Sequence, residues 1–131
     1  MIKAQDLRIG NIVKMPSSGE LTKITSMDIS DIQSNLKNRL SVDLSEEILL
    51  KVGFIKYPWF EGAYIKYNDS HLMIRWYKDN IIAFTCYVMD GKEEMLHKNV
   101  KHIKKGLIVN LHQLQNFYYF NTGQELNTSE L

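Results

Sequence analysis

Histidine and cysteine, the usual side-chain ligands of zinc, are few in this chain and mostly lie far apart in the sequence. His97 and His102 are separated by four residues, which falls within the histidine spacing of some zinc sites. Neither a Cys-x-x-Cys pair nor a His-Glu-x-x-His motif accompanies them. We therefore expect two surface histidines in a lysine-rich segment, with no metal site.

No arrangement of residues in the sequence meets the requirements of a catalytic site. Cys86 lies within an apolar run, where a thiol behaves as a small hydrophobic side chain. The carboxylates of Glu46 and Glu47, and those of Glu93 and Glu94, are sequence neighbours, and such neighbours point apart on a helix or a strand. A phosphate-binding loop and a dinucleotide-binding fingerprint are both absent. The sequence predicts no catalytic residue, no cofactor and a protein that is not an enzyme.

A lysine-rich segment is the first of two candidate binding features. Residues 92–105 contain five lysines and only two acidic residues, Glu93 and Glu94, so the net positive charge of the segment can attract phosphates or an acidic protein face. The residues assigned to this contact are Lys98, Lys101, Lys104 and Lys105. A solvated loop, or an edge strand that lysines protect against aggregation, explains the same pattern and is the simpler interpretation.

Aromatic side chains form the second candidate binding feature. Trp59 and Phe60 follow Pro58 in a turn-like segment, where two large apolar rings are hard to bury. Trp76 stands beside Arg75, and tryptophan and arginine often anchor protein interfaces. The same rings could equally stack on exposed bases of single-stranded RNA or DNA. Packing between a sheet and helices is the alternative for each ring, so the sequence leaves core and interface open.

The length and composition indicate one soluble domain inside a cell. A chain of 131 residues is long enough for one hydrophobic core and too short for two independent ones. The formal charge of +1 gives no overall attraction to nucleic acid or to an acidic membrane. A single cysteine favours a reducing compartment, and the sequence shows neither a signal peptide nor an apolar run of about 18 residues. We expect a cytoplasmic protein that does not contact a membrane.

The first part of the chain, residues 1–44, has the pattern of a small β-sheet. Residues 6–27 carry apolar side chains on both sides of a turn at Pro16–Gly19, which predicts a β-hairpin. Residues 40–44 predict a short strand that would complete an SH3-like sheet. Residues 28–35 are polar and weakly patterned, which predicts a loop.

A short helix is predicted within residues 45–54. Ser45 is a strong N-cap residue, and two glutamates follow it at the positive end of the helix dipole. Gly53 is the expected left-handed residue after the helix, and Phe54 would then fold back on Leu49 as in a Schellman ending. A helix of about two turns depends on tertiary packing for its stability.

The period of the apolar pattern changes to two between residues 57 and 106, which predicts an antiparallel β-meander. We expect its strands at residues 63–67, 71–77 and 81–88, joined by turns rich in asparagine, aspartate and glycine. Because the run 81–88 is almost continuously apolar, we expect it to be the central strand, covered on both faces.

An amphipathic helix is predicted within residues 108–126. Four side chains recur at the spacing of one helix face, namely Leu111, Leu114, Phe117 and Tyr118. Gly123 is placed to end this helix in the left-handed conformation. The order of elements predicts one α+β domain over residues 1–131, with the C-terminal helix packed on the sheet.

Three segments are notable together and in their order. They are Asp6–Val13, which contains LRIGN, Leu44–Phe54, which reads LSEEILLKVGF, and Leu111–Phe120 with the following Thr122–Leu126. In these segments the chain resembles a family of small uncharacterised proteins carried by prophages and mobile elements of Bacteroidetes-type bacteria. The resemblance implies a phage or mobile-element accessory protein that acts inside a bacterium, and it brings no activity or binding residues with it. Each segment also has a structural interpretation, as a strand-entry turn, a capped helix and a core helix.

The sequence thus favours a protein that works by binding. The most concrete hypothesis is a phage-encoded inhibitor of a bacterial defence complex, similar to an anti-CRISPR protein that binds an effector protein or ribonucleoprotein. Trp59 and Trp76 would then fill a pocket on the partner, and the lysines of residues 98–105 would attract RNA or an acidic face. A nucleic-acid-binding module of phage origin is the main alternative. A protein that sequesters or cleaves signalling nucleotides is a third hypothesis.

Overall fold

The chain folds as an α+β protein, which confirms the predicted class. The computed structural model describes residues 2–56, the strand residues 63–66, 71–77, 80–86 and 106–107, and residues 110–131. After a 3-10 helix at Ala4–Asp6, the elements in chain order are β1 (Ile12–Lys14), β2 (Leu21–Lys23), α1 (Ser26–Gln33), α2 (Glu46–Lys51), β3 (Ile55–Lys56), β4 (Ala63–Lys66), β5 (His71–Tyr77), β6 (Asn80–Cys86), β7 (Gly106–Leu107) and α3 (Leu111–Thr122). Among these described helices, none is long and apolar enough to cross a membrane.

The N-terminal part contains the predicted hairpin and a helix that the sequence pattern did not indicate. β1 and β2 pair antiparallel, which confirms the hairpin. The prediction of a loop over residues 28–35 is wrong, because α1 covers most of that stretch. Thr25 begins α1 in a reciprocal cap: its hydroxyl accepts from the N–H of Asp28, and the Asp28 carboxylate accepts from the N–H of Thr25. The predicted strand at residues 40–44 is also wrong, since that segment makes only isolated bridges through Leu40 and Asp43.

β1 lies between two hydrophobic clusters because successive side chains of a strand point to opposite faces. Val13 belongs to the smaller cluster, which also contains Ile2, Ile24 and Ile32. Ile12 belongs to the larger cluster. The buried members of the larger cluster are Ile12, Val42, Leu44, Leu49, Val52, Phe54, Leu111, Leu114, Tyr118 and Leu126. Two consecutive residues of one short strand therefore join the packing around α1 to the packing around α2 and α3.

α2 begins and ends as its sequence predicts. The Ser45 hydroxyl accepts a hydrogen bond from the N–H of Ile48 at 3.2 Å. At the other end Gly53 has a φ of +98°, and the N–H of Phe54 donates to the carbonyl of Leu49 at 2.9 Å. This is the hydrogen bond of a Schellman ending that spans more residues, and both Leu49 and Phe54 are buried in the larger cluster.

α3 is capped by polar groups at its start and by glycine at its end. The side chain of Asn110 accepts from the N–H of Gln113, and the Gln113 side chain accepts from the N–H of Asn110. The first turn is attached to the segment before α2, because the N–H of Leu111 donates to the carbonyl of Val42 at 2.8 Å. Gly123 adopts a φ of +72° and ends the helix, as predicted.

The meander is confirmed in its strands and their antiparallel pairing. β3 to β7 form one sheet in chain order, and β4, β5 and β6 correspond to the three predicted strands. β6 is an interior strand, paired with β5 on one side and with β7 on the other, although β5 is the middle of the five described strands. That residues 81–88 are covered on both faces stays a prediction. β3 and β7 contain two residues each, and so short a run has no apolar period to recognise. That the chain is a single domain stays a prediction.

Candidate interaction surface on the C-terminal helix

Most residues that the sequence assigns to partner binding lie outside the described residues. These are Trp59, Phe60, Lys98, Lys101, Lys104 and Lys105. Arg75 and Trp76 lie in β5, the middle strand of the described sheet. Ala63 on β4 and Ile82 on β6 flank Arg75, and Ile81 lies opposite Trp76. The partner-binding roles of all eight residues stay predictions.

A buried side-chain amide on α3 takes the place of a neighbouring strand along one edge of β1. Gln115 is only 2% exposed; its Oε1 accepts from the N–H of Ile12 at 2.7 Å, and its Nε2 donates to the carbonyl of Gly10 at 3.1 Å. A paired strand would satisfy the same donor and acceptor. Further along β1, Lys14 exchanges both backbone hydrogen bonds with Leu40. One side chain and one isolated bridge therefore close the edge that faces away from β2.

Two asparagines extend this contact between the N-terminal segment and α3. Asn11 is fully buried; its Oδ1 accepts from the N–H of Arg8 at 2.7 Å, and its Nδ2 donates to Oδ1 of Asn116 at 2.8 Å. Asn116 in turn donates through Nδ2 to the carbonyl of Asp6 at 3.2 Å. The side-chain amides of Asn11, Gln115 and Asn116 thus hold residues 6–12 along one turn of α3.

The guanidinium of Arg8 completes the contact. Its Nε donates to Oδ1 of Asn116 at 3.2 Å, and its two terminal nitrogens bind the two carboxylate oxygens of Glu125, one of them at 3.1 Å. A bidentate pair of this kind fixes the orientation of the two groups in addition to bringing their opposite charges together. The hydrogen bond from Arg8 lowers the pKa of Glu125 below its ordinary value, although partial burial acts in the opposite direction. At neutral pH the carboxylate is therefore ionised, and it neutralises the charge of Arg8.

Arg8 also supports two surface rings. Its guanidinium carbon lies 4.2 Å from the centroid of the Tyr119 ring, which is a cation–π contact. Phe120 meets Tyr119 edge-on, with the ring centroids 6.0 Å apart and the ring planes at 70°. Phe120 is 77% exposed and Tyr119 is 38% exposed. We call Arg8, Tyr119 and Phe120 the arginine–aromatic cluster, because together they present two adjoining rings to solvent.

The first turn of α3 contains a buried histidine. His112 is 4% exposed, and among the described residues its Nδ1 has no hydrogen-bond partner. Burial lowers the pKa of His112 below its ordinary value, while the charge of Asp6 acts in the opposite direction. The positive end of the α3 dipole also disfavours a proton here. Within the described part of the chain, no group of three or more histidine, cysteine, aspartate or glutamate residues could hold a metal ion.

The helical period alone could have identified the exposed rings, but not the amides. Leu111, Leu114 and Tyr118 are buried and Phe117 is partly buried, which confirms the predicted apolar face and leaves Phe120 off it. The sequence gives no such signal for Gln115, which reads as an ordinary polar residue of a surface helix.

The three segments singled out by their order in the sequence contact one another in the structure. Asp6–Val13 binds Leu111–Phe120 through the amide and guanidinium contacts, and Leu44–Phe54 packs against the same helix in the larger cluster. Their residues thus supply most of the larger cluster. Comparison of the chain with models of protein families, with curated proteins and with solved structures finds no match.

Proposed function

We propose that this protein is a non-enzymatic binding protein, and that it is a phage or mobile-element accessory protein which inhibits a bacterial defence complex. The observation that carries the binding proposal is the arginine–aromatic cluster, in which Phe120 is 77% exposed beside Tyr119. The phage context rests on the resemblance of the three ordered segments. The proposed partner is an effector protein or ribonucleoprotein, as for an anti-CRISPR protein.

The exposed ring of Phe120 offers a physical basis for binding. Moving a phenylalanine side chain from water into a protein pocket stabilises a complex by roughly 2 kcal/mol. Tyr119 is already held by Arg8, so that ring loses little conformational freedom when a partner covers it. Tyrosine and arginine are also enriched among the residues that dominate interface energies.

The charge of the cluster supports a protein partner over a direct contact with nucleic acid. Binding of nucleic acid depends largely on cations that replace the counterions of phosphates. Arg8 is paired with Glu125 through both carboxylate oxygens, so its charge is already compensated. Two rings beside a neutralised guanidinium suit an apolar or aromatic protein side chain better than a phosphate.

The remaining expectations from the sequence belong to the same proposal. We propose that Trp59 and Trp76 provide a second anchor, and that the lysines of residues 98–105 attract RNA of a ribonucleoprotein or an acidic protein face. We also propose that α3 packs on the sheet of the same domain. The site of action is proposed to be the bacterial cytoplasm.

The test is affinity capture from the bacterial host with the tagged protein, its Phe120→Ala variant and a matched control. Leu36→Ala is the control because Leu36 is also a strongly exposed apolar side chain, at 75%, and is not part of the cluster. Each lysate is divided and one half is treated with nuclease before capture. The captured component is then purified, and its affinity for the three proteins is measured directly.

A protein partner that resists nuclease, with binding about tenfold or more weaker for Phe120→Ala and unchanged for Leu36→Ala, is the expected result. Equal binding by both variants would contradict the role of the cluster. Binding of naked RNA that collapses as salt rises would instead identify a nucleic-acid-binding module. Turnover of a signalling nucleotide by the purified protein would contradict the proposal that it is not an enzyme.

A further inference from the structure

A groove lies between the 3-10 helix Ala4–Asp6 and α1, beside the smaller hydrophobic cluster. Its volume is about 550 Å³, which is within the range of small-molecule sites in proteins. The apolar part of its lining comes from Ile2, Ala4, Ile29 and Ile32, and all four belong to the smaller cluster or pack against it. The groove therefore has an apolar floor that is anchored in a packed core.

The rim of the groove is polar and carries one charge. Its polar side chains are those of Lys3, Gln5, Gln33 and Asn35. Within the described part of the chain, none of these four side chains makes a hydrogen bond or an ion pair. None of the described residues that line the groove is acidic. The acids of α1 are engaged elsewhere, because Lys37 pairs with both Asp28 and Asp31.

We propose that this groove binds a small molecule with an apolar body and a single anionic group. The four apolar side chains cover the body, and the ammonium of Lys3 attracts the anion. The carboxamides of Gln5 and Gln33 donate hydrogen bonds to its oxygen atoms. This site goes beyond the proposed capture of a partner, because no residue of the arginine–aromatic cluster lines the groove.

The experiment uses two probes that share one ring skeleton. The first is 8-anilinonaphthalene-1-sulfonate, an apolar body with one anionic group, and the second is N-phenyl-1-naphthylamine, which lacks the sulfonate. Their fluorescence is titrated with the full chain, with Lys3→Glu and with Gln33→Glu. Lys23→Glu on β2 is the matched control, because Lys23 is exposed and lies outside the groove. Urea midpoints of all four proteins establish that the variants remain folded.

Saturable binding of one sulfonate probe per chain, about fivefold weaker for Lys3→Glu and for Gln33→Glu, is the expected result. Lys23→Glu should leave this affinity unchanged, and the uncharged probe should bind all four proteins equally. Equal affinity of the sulfonate for wild type and for Lys3→Glu would overturn the assignment of the anion. The absence of saturable binding by either probe would overturn the site itself.

Discussion

Replacing Gln115 tests whether one side-chain amide does close the edge of β1. Gln115→Leu keeps the approximate size of the side chain and removes both of its hydrogen bonds. The N–H of Ile12 is buried and loses its acceptor, which costs about 1–3 kcal/mol, the penalty for a buried unpaired group. Gly10 is only partly buried, so water can replace Gln115 at its carbonyl, and that exchange costs about 1 kcal/mol.

The expected loss is therefore about 2–4 kcal/mol of the free energy of unfolding, a large share of the 5–15 kcal/mol typical of a domain. Urea denaturation followed by circular dichroism measures it, provided that the slope with denaturant stays unchanged. Gln33→Leu is the matched control, because Gln33 is an exposed glutamine on α1, and we expect a change within about 0.5 kcal/mol. If both variants unfold at the same urea concentration, the amide does not stabilise the edge.

Gln115→Glu separates the hydrogen bonds from the packing. A protonated glutamic acid can accept from Ile12 and donate to Gly10, as the amide does, whereas the carboxylate cannot donate and is costly to bury. Burial raises the pKa of such a group in the folded state above its unfolded value. The contribution to stability is then present at low pH and is lost as the pH rises through the folded pKa. A stability difference from wild type that stays constant between pH 4 and pH 8 would refute this account of the contact.

The remaining predictions concern His112, Gly53 and Thr25. Because the folded pKa of His112 lies below its ordinary value of 6.5, the free energy of unfolding should fall as the pH drops below about 6.5. The His112→Gln variant should show a flatter dependence on pH. Identical pH profiles of the unfolding free energy for wild type and variant would contradict this prediction. Protonation of Asp28 and Glu125 lowers stability only at more acidic pH, below their ordinary pKa values of 3.8 and 4.5, because both pKa values are lowered in the folded state. The pH range of the His112 effect can therefore be distinguished from that of the two carboxylates. Gly53→Ala should cost about 1–2 kcal/mol, since alanine is strained at a φ of +98°, and thermal unfolding checks this. Thr25→Ala removes the cap of α1 and should cost about 1 kcal/mol, measured in the same way, with Thr22→Ala on β2 as the comparison.

Features of the fold that depend on local chemistry could be predicted from the sequence. The ends of α2 follow from Ser45 and Gly53, and the end of α3 follows from Gly123, because capping and left-handed conformations are set by a few adjacent residues. The same is true of the apolar face of α3 and of the strands of the meander, whose patterns extend over enough residues to be recognised.

The sequence does not predict α1, because the apolar pattern of residues 26–33 is short and mixed. Met27 is 69% exposed although it is apolar, whereas Asp28 is buried although it is charged. Asp28 occupies the third position of the reciprocal cap, where a glutamate or glutamine is the usual signal. Its carboxylate is satisfied by Thr25 and by Lys37, and the hydrogen bond from the Thr25 backbone is the main reason that the pKa of Asp28 is lowered. Hydrogen bonds with residues close in sequence therefore allow Asp28 to be buried, whereas the hydrophobic pattern predicts that a charged residue is exposed.

The contact between Gln115 and β1 could not be predicted for a more general reason. Gln115 and Ile12 are 103 residues apart, and the groups that the amide binds belong to the backbone. Every residue except proline carries the same backbone donor and acceptor, so the identities of residues 10 and 12 do not indicate which side chain their backbone groups bind. A buried glutamine is costly unless both ends of its amide are paired, so α3 can bury this residue only in the register that meets β1. The same register places Arg8 against Tyr119, and the exposed rings of the proposed interface therefore depend on a polar contact in the core.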